Sequence, residues 1–381
     1  MSNTHELSKN EIPSIRSLLD DEQNGLSFTL SNVDMSIANA IRRTILSDID
    51  VVCILSDKYE RNQVTIDVNT GRLHNEILKH RLSCIPIHFN GNKEEMDLFC
   101  RDYKVIVDCK NDTSEMKIVT TEDFHVVNKV TDVELSSKIF PPCKRTNRFI
   151  DFSRLRPKIS ETIAGEALKL SANFSISNAK DNAMYNVVSK CTYSNTIDNE
   201  KVVKKWKELE SEYRAKNLTT EEIEFEKKNF YILDGQRCYV ENSFDFIIQG
   251  LDIFSNIQIL RMSCETLIGK FNKLNEELFV NNVPILRSET TMKNSFDVIL
   301  VNEDYTLGKV LEYILYSKFY TPKNPTLNFC GFKKFHPHDA KSTIRISFVD
   351  EHKDDDPKEL VHFASQHAIL ILKYVISMLK N

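Results

Sequence analysis

Ser36 to Ser47 reads SIANAIRRTILS, and the pattern returns as Thr306 to Ser317, TLGKVLEYILYS. A recurrence of this kind marks an internal repeat. Aligned from Asn32 and Asn302, NVDMSIANAIRRTIL and NEDYTLGKVLEYIL pair Asn with Asn, Asp34 with Asp304, Ser36 with Thr306, Ile37 with Leu307, and Ala38 with Gly308. Each repeat predicts a capped amphipathic helix. Ser36 or Thr306, with Asp34 or Asp304 just upstream, can accept hydrogen bonds from the first free backbone amides. Ile37, Ala38, Ile41 and Ile45 then recur at helical spacing, as do Leu307, Gly308, Leu311 and Leu315, so each helix has one apolar face.

Working outward, both halves predict the order strand, capped helix, strand, long helix. In the first half these are Leu26 to Leu30, the repeat helix, Ser243 to Gln249, and a helix from Ile253 to about Phe279. In the second they are Phe296 to Val301, the repeat helix, Thr343 to Val349, and a terminal helix from about Pro357, with a short strand near Leu327 to Gly331. The excess chain in the first half predicts an insertion. The fold class expected is therefore α+β: two half-domains paired within the chain as a pseudo-dimer, the first interrupted by a mainly β domain. The boundaries predicted are an N-terminal arm over 1–24, a first half-domain over 25–50 and 239–285, the insert over 51–238, and a second half-domain over 286–381.

Within the insert, Leu73 to Leu82 predicts a short helix ending before Ile85-Pro86-Ile87, because proline disfavours helix at the preceding residue. His88 to about Tyr193 reads as short strands. Lys201 to Phe230 carries charges of both signs along an apolar line at Val202, Trp206, Leu209 and Tyr213, and Thr219 to Glu222 gives a capping-box start. These predict solvated helices packed by one edge. The arm, polar except at Ile12, Ile15, Leu18 and Leu19, predicts a flexible segment that docks on a neighbour.

Two repeats on one chain can pair through equivalent faces, as identical subunits do. Residues placed at 100° intervals put Ile37, Ile41 and Ile45 in one sector, Arg42 on its edge and Arg43 roughly opposite. The second repeat has Glu312 and Tyr313 at those positions. The predicted seam is Ile37, Ala38, Ile41, Ile45, Leu307, Gly308, Leu311 and Leu315, and each fully buried Ile or Leu there contributes about 1.5–3 kcal/mol. The outer face diverges, which fits either a partner met by one repeat only or ordinary solvated charges.

Composition narrows the function. The chain has 381 residues, 41% of them hydrophobic, enough for about two or three domains. Met1 to Gln23 is polar, unlike a signal peptide, and the longest apolar run, Ala368 to Leu379, is interrupted by Lys373 and short for a bilayer. The net charge of -5 argues against a chain held to nucleic acid by phosphate contacts. Nine cysteines without C-x-x-C spacing predict free, mostly buried thiols in a reducing compartment. No P-loop, dinucleotide fingerprint, H-E-x-x-H or nucleophile elbow occurs, so no catalytic residue and no cofactor is assigned. Asp354, Asp355 and Asp356 precede the last helix, where acidic residues suit the helix dipole. His336 and His338 lack a third metal ligand nearby and read as turn histidines. Trp206 reads as core or interface.

The first half resembles the alpha-like subunits of multisubunit DNA-directed RNA polymerases, bacterial alpha, archaeal D and the third-largest eukaryotic subunit. The resemblance rests on ANAIRRTIL, LHNEILKHRLSCIPI, FIDFSRLRP with ALKLSANFSISNAK, and SFDFIIQGL. The second half resembles the small partner subunit, archaeal L, through NEDYTLGKVLEYIL, NFCGFKKFHPH and TIRISF. Fusion of the two is similar to the arrangement in large cytoplasmic DNA viruses. The resemblance covers nearly the whole chain apart from the arm and Lys201 to Phe230. It implies a non-catalytic assembly platform whose partners are the two largest polymerase subunits and a small one, with DNA met only through the complex. It places the protein in the host cytoplasm or virion if viral and the nucleus otherwise. It also implies that Arg42 and Arg43, with Lys79, His80 and Arg81, dock a large subunit. The family's tight four-cysteine metal cluster after the IPI segment is replaced by widely spaced Cys84, Cys100 and Cys109, so no metal site is assigned. A free-standing nucleic-acid-binding or scaffold protein is the competing class, and a lone enzyme the third.

Overall fold

The computed structural model describes residues 7–8, 11–21, 25–135, 139–160, 162, 164–288, 292–350 and 356–379. In chain order these form β1 (Ser14–Asp21), β2 (Gly25–Ser31), α1 (Met35–Ser47), β3 (Val51–Cys53), β4 (Val64–Asn69), α2 (Asn75–Ser83), α3 (Lys93–Asp102), β5 (Tyr103–Lys110), β6 (Lys117–Thr120), β7 (His125–Asn128), β8 (Asp151–Leu155), β9 (Ala167–Asn173) and β10 (Ser175–Ser177). There follow β11 (Val188–Ile197), α4 (Asn199–Ala215), α5 (Thr220–Ile232), β12 (Tyr239–Gly250), α6 (Asn256–Phe279), β13 (Ile285–Arg287), β14 (Ser295–Val301), α7 (Tyr305–Leu315), β15 (Leu327–Lys333), β16 (Lys341–Phe348) and α8 (Asp356–Met378). The protein is mixed α+β. It divides into one compact unit of Met1–Ile45, Lys190–Gln249 and Asn256–Asn381, and another of Leu46–Ser189 and Gly250–Ser255.

The first unit holds two four-stranded sheets, ordered β1-β2-β12-β11 and β13-β14-β16-β15. In each, the strand before a repeat helix pairs antiparallel with the strand before a long helix: β2 with β12, β14 with β16. Leu26, Phe28 and Leu30 of β2 and Phe296, Val298 and Leu300 of β14 are buried at period two, which fixes the register by which face meets the core. Beyond each strand stands an asparagine with positive φ, Asn32 at 62° and Asn302 at 59°. Asparagine tolerates this left-handed turn better than most residues. Asn32 N donates to Asn242 O, and Asn302 N to Ala340 O, so one bond closes over residues 32 to 242 in the first repeat and over 302 to 340 in the second. The long helices α6 and α8 pack antiparallel: Arg261 bonds the Leu379 carbonyl at one end, and Asn275 meets His362 at the other. α8 is long and apolar enough to cross a membrane, yet Val361, Ala364, Ala368, Leu372 and Val375 are buried within this unit.

Two expectations change here, and the reading of Trp206 as core or interface holds. The described part of the arm is not loose: Ser14–Asp21 is an edge strand paired with β2, its register shifted between Arg16 and Leu19 around Ser17, whose φ is 52°. Its side chains lack a strand's alternation because backbone pairing, not burial, holds it. The segment β11-α4-α5, placed by sequence in the insert, belongs to the first unit because β11 hydrogen-bonds beside β12. Trp206 sits in a core with Val202, Phe230 and Cys238, its ring within 7 Å of those of Tyr213, Phe230 and Tyr231. Those rings are spread along two helices, so their convergence is invisible in linear order.

Ahead of β1, Glu11 carries a carboxylate bonded to Lys318 at 2.5 Å and to Ser8. Burial alone would raise its pKa, but the bonds from Lys318 and Ser8 outweigh this and hold it below the ordinary 4.5. A depressed carboxylate pKa stabilises the fold above the unfolded value, and that contribution is lost as pH falls through the folded value. Glu11→Gln should therefore melt below wild type near neutral pH and converge with it as pH falls through the lowered folded-state value. Thermal unfolding from pH 7 to 3 checks this, and a gap that persists in acid refutes the assignment.

The second unit holds a four-stranded antiparallel sheet, β4-β9-β5-β7, with two-stranded pairs β6-β8 and β10-β3. Phe99 stacks on Phe89 and Tyr103 and meets Phe174, while Phe124 packs edge-on against Phe140 and Phe152. α3, in a stretch read as strands, starts at a capping box of Asn92 and Glu95. That N-x-x-E spacing was its available signal.

Candidate assembly interface

Both repeat helices start in the same way. Asp34 Oδ1 accepts from Ser36 N at 2.7 Å, and Asp304 Oδ1 from Thr306 N at 2.8 Å. The aspartates therefore cap, not Ser36 or Thr306; an Asp side chain reaches the amide two residues on without leaving the turn. This leaves Thr306 Oγ1 available, and it accepts from Arg43 Nε at 2.9 Å. Arg43 Nη2 reaches Asp304 Oδ2 at 2.7 Å.

Arg43 is thus turned toward the second repeat, contrary to its expected place on the far side of the seam. A helical wheel orders residues around one axis but does not say from which side another element approaches. The reciprocal position behaves alike. Tyr313, which aligns with Arg43, has its hydroxyl pKa raised by burial and then by the nearby Asp34 carboxylate. Residue 43 meets the cap of the second repeat, and residue 313 lies by the cap of the first.

Ile37, Ala38, Ile41 and Ile45 are buried on α1, as are Leu307, Leu311 and Leu315 on α7, and burial extends to Ala40, Thr44, Val310 and Ile314. Gly308 is set against Phe332 of β15 in its own half: a Cβ there would lie 2.1 Å from the ring. The broadest helix contact between the halves is α6 on α8, and α6 also meets α7, which packs on α8 within its own half.

Arg42 donates to Asn39 Oδ1 of the preceding turn from both Nε (3.1 Å) and Nη2 (2.8 Å). On α2, Leu78 and Leu82 are buried, and Arg81 bonds the carbonyls of Phe152 and Asp151, tying the helix to β8. Lys79 is half-buried and His80 exposed. Cys84 ends α2, Cys100 lies on α3 with its thiol pushed up to about 11 by burial, and Cys109 is buried on β5. His336 Nδ1 accepts from His338 N, a turn bond. Of the acidic triplet, Asp356 begins α8, while Asp354 and Asp355 lie outside the described residues.

Because Arg43 and Asp304 are each about one-third exposed, their ion pair should be modest. A double-mutant cycle on Arg43→Met and Asp304→Asn should give a coupling of about 0.5–1 kcal/mol in thermal or urea unfolding. Strict additivity would refute an energetic link between Arg43 and Asp304.

Residues 27–271 match the model of the RNA polymerase Rpb3/Rpb11 dimerisation domain. The chain is similar to the DNA-directed RNA polymerase subunit Rpo3 of Pyrococcus furiosus, 25% identical over 68% of this chain and 95% of that protein. It is 28% identical to subunit 3B of DNA-directed RNA polymerases IV and V of Arabidopsis thaliana, over 47% of this chain and 55% of that protein. It is 33% identical to the DNA-directed RNA polymerase II subunit RPB3 of Schizosaccharomyces pombe, over 23% of this chain and 27% of that one. The chain therefore spans nearly all of the archaeal relative and about half or less of the other two. With the family model covering more than half of the chain and the strand–helix elements in place, this protein belongs to the RNA polymerase Rpb3/Rpb11 dimerisation-domain family.

Proposed function

We propose that the two repeats form a pseudo-dimer within one chain, the first repeat carrying an inserted β-rich unit, and that this platform mounts the two largest subunits of a DNA-directed RNA polymerase together with a small one. The chain's role in the polymerase is non-catalytic. The observation that carries the pairing is reciprocity: Arg43 bonds the cap at Asp304, while its counterpart Tyr313 lies near Asp34. A self-complementary interface has this form, residue i meeting j and j meeting i. The seam proposed is Ile37, Ala38, Ile41 and Ile45 with Leu307, Leu311 and Leu315, closed by α6 on α8.

For the large subunits, the reading favours Arg42 on α1 and, separately, Lys79 and His80 on α2. Arg43 and Arg81 bond groups on other elements, whereas the Arg42 bonds are to Asn39 of its own helix. Fusion of both partners in one chain is read as the arrangement of large cytoplasmic DNA viruses, with the polymerase in host cytoplasm or virion; a cellular fusion would act in the nucleus. Affinity purification of the tagged chain from its native source tests the function. Two very large co-eluting chains are expected, and Arg42→Ala with Lys79→Ala should lower their recovery in salt. Recovery of the chain alone, with tight filter binding of DNA by the isolated protein, would favour the nucleic-acid-binding reading.

A further inference from the structure

The hairpin α4-α5 has an apolar face that its own core does not use. Its inner residues, Ile223 and Phe230, pack with Val202 and Trp206. On the opposite side of α5, Phe225 and Ile232 stand seven residues apart, a spacing that keeps side chains in one line along a helix, and Leu218 lies just ahead of the Thr219 cap. Phe225 is 63% exposed and Ile232 70%, with Leu233 beside them at 65%. A monomeric surface scatters single large apolar groups but seldom aligns them. Leu218 and Phe225 line a groove of about 380 Å³ whose other walls are Glu221, Glu222 and Glu226. Glu222 turns one oxygen to Thr219, where bonds from the Thr219 amide and hydroxyl lower its pKa and keep it charged.

We propose that this face docks an amphipathic helix with basic flanks supplied by another protein. Phe225 and Ile232, with Leu218 at the mouth of the helix, offer the apolar surface on which such a partner can seat its own apolar face. The carboxylates along the groove select lysine or arginine at the partner's flanking positions and reject acidic ones. A second copy laid parallel would set Glu221, Glu222 and Glu226 against their own kind, whereas one laid antiparallel would bring Lys227 and Lys228 toward them, so self-association is tested directly by sedimentation. The inference is independent of the polymerase reading, since it needs only the hairpin and its charge.

The probe is a fluorescein-labelled 21-residue peptide with leucine at heptad spacing and lysine on both flanks, titrated into the full chain and followed by anisotropy. A matched peptide with glutamate flanks is the control. Saturable binding of the lysine peptide is expected, weakening as salt rises. Phe225→Ala should lose about tenfold or more in affinity, as a central aromatic anchor does. Glu221→Lys with Glu226→Lys should lose a similar factor and flatten the salt dependence. Unchanged Trp206 emission, buried on the inner side, verifies that each variant keeps the hairpin fold. No binding, equal binding of the glutamate peptide, or equal binding to folded Phe225→Ala would overturn the proposal. So would sedimentation showing a wild-type dimer that Phe225→Ala makes monomeric, since the face would then serve self-association.

Discussion

Ile41→Asp should unfold the unit that holds both repeat helices. Ile41 is fully buried on α1, between Ile37 and Ile45 of the same stripe. A carboxylate there loses its water and gains no cation, a situation that costs about 3–5 kcal/mol or more. That is a large share of the roughly 5–15 kcal/mol by which domains are stable. Ile41→Val, which removes one methyl group, should cost only about 0.5–1.5 kcal/mol. The two variants separate charge from volume. Burial raises the folded-state pKa of the introduced acid above its unfolded value, so the penalty is present above the unfolded pKa and relieved as pH falls. Circular dichroism melting should therefore show the gap between the two variants narrowing in acid. A melting transition for Ile41→Asp equal to wild type would remove Ile41 from any buried seam.

Gly308→Ala should be the second large loss, although alanine is the better helix former by about 1 kcal/mol. A Cβ at position 308 would lie 2.1, 2.2 and 2.5 Å from three ring carbons of Phe332, inside any real contact. Phe332 is buried on β15 with Tyr305 edge-on at 5.2 Å, so moving the ring disturbs that packing. Overpacking of this kind costs about 1–3 kcal/mol. Phe332→Leu in the same chain should recover part of it, giving a favourable coupling in a double-mutant cycle by urea unfolding. The first repeat has Ala38 at this position, fully buried, so the glycine is a requirement of one half and not of the repeat. Additive losses, or Gly308→Ala as stable as wild type, would refute the contact.

These two positions show how unevenly the site could be read from residues alone. Ile41 was legible because a buried helix face repeats at a period fixed by the backbone. Gly308 was legible as a small residue on that face, but its neighbour Phe332 lies on a strand beyond a turn, and nothing in the stripe names it. Arg43 was placed on the wrong side for a related reason: the wheel knows one helix, whereas the side chain responds to the Asp304 cap of another. Of the three rings round Trp206, Tyr213 shares its apolar line on α4, but Phe230 and Tyr231 reach it only once α5 folds back on α4.

Features that depend on neighbours within a few positions were open to reading from the residues alone. The two capped helices and the strands before them follow from capping and hydrophobic period, whereas the left-handed turns at Asn32 and Asn302 are seen only in the folded backbone. Only the tertiary structure decided what joins distant residues. It made Ser14–Asp21 an edge strand, gave β11 and the α4-α5 hairpin to the first unit, and aimed Arg43 at Asp304. Those outcomes rest on hydrogen bonds and charges between groups far apart in the chain, whose pairing is chosen by where the folded backbone brings them and leaves no period in the residues themselves.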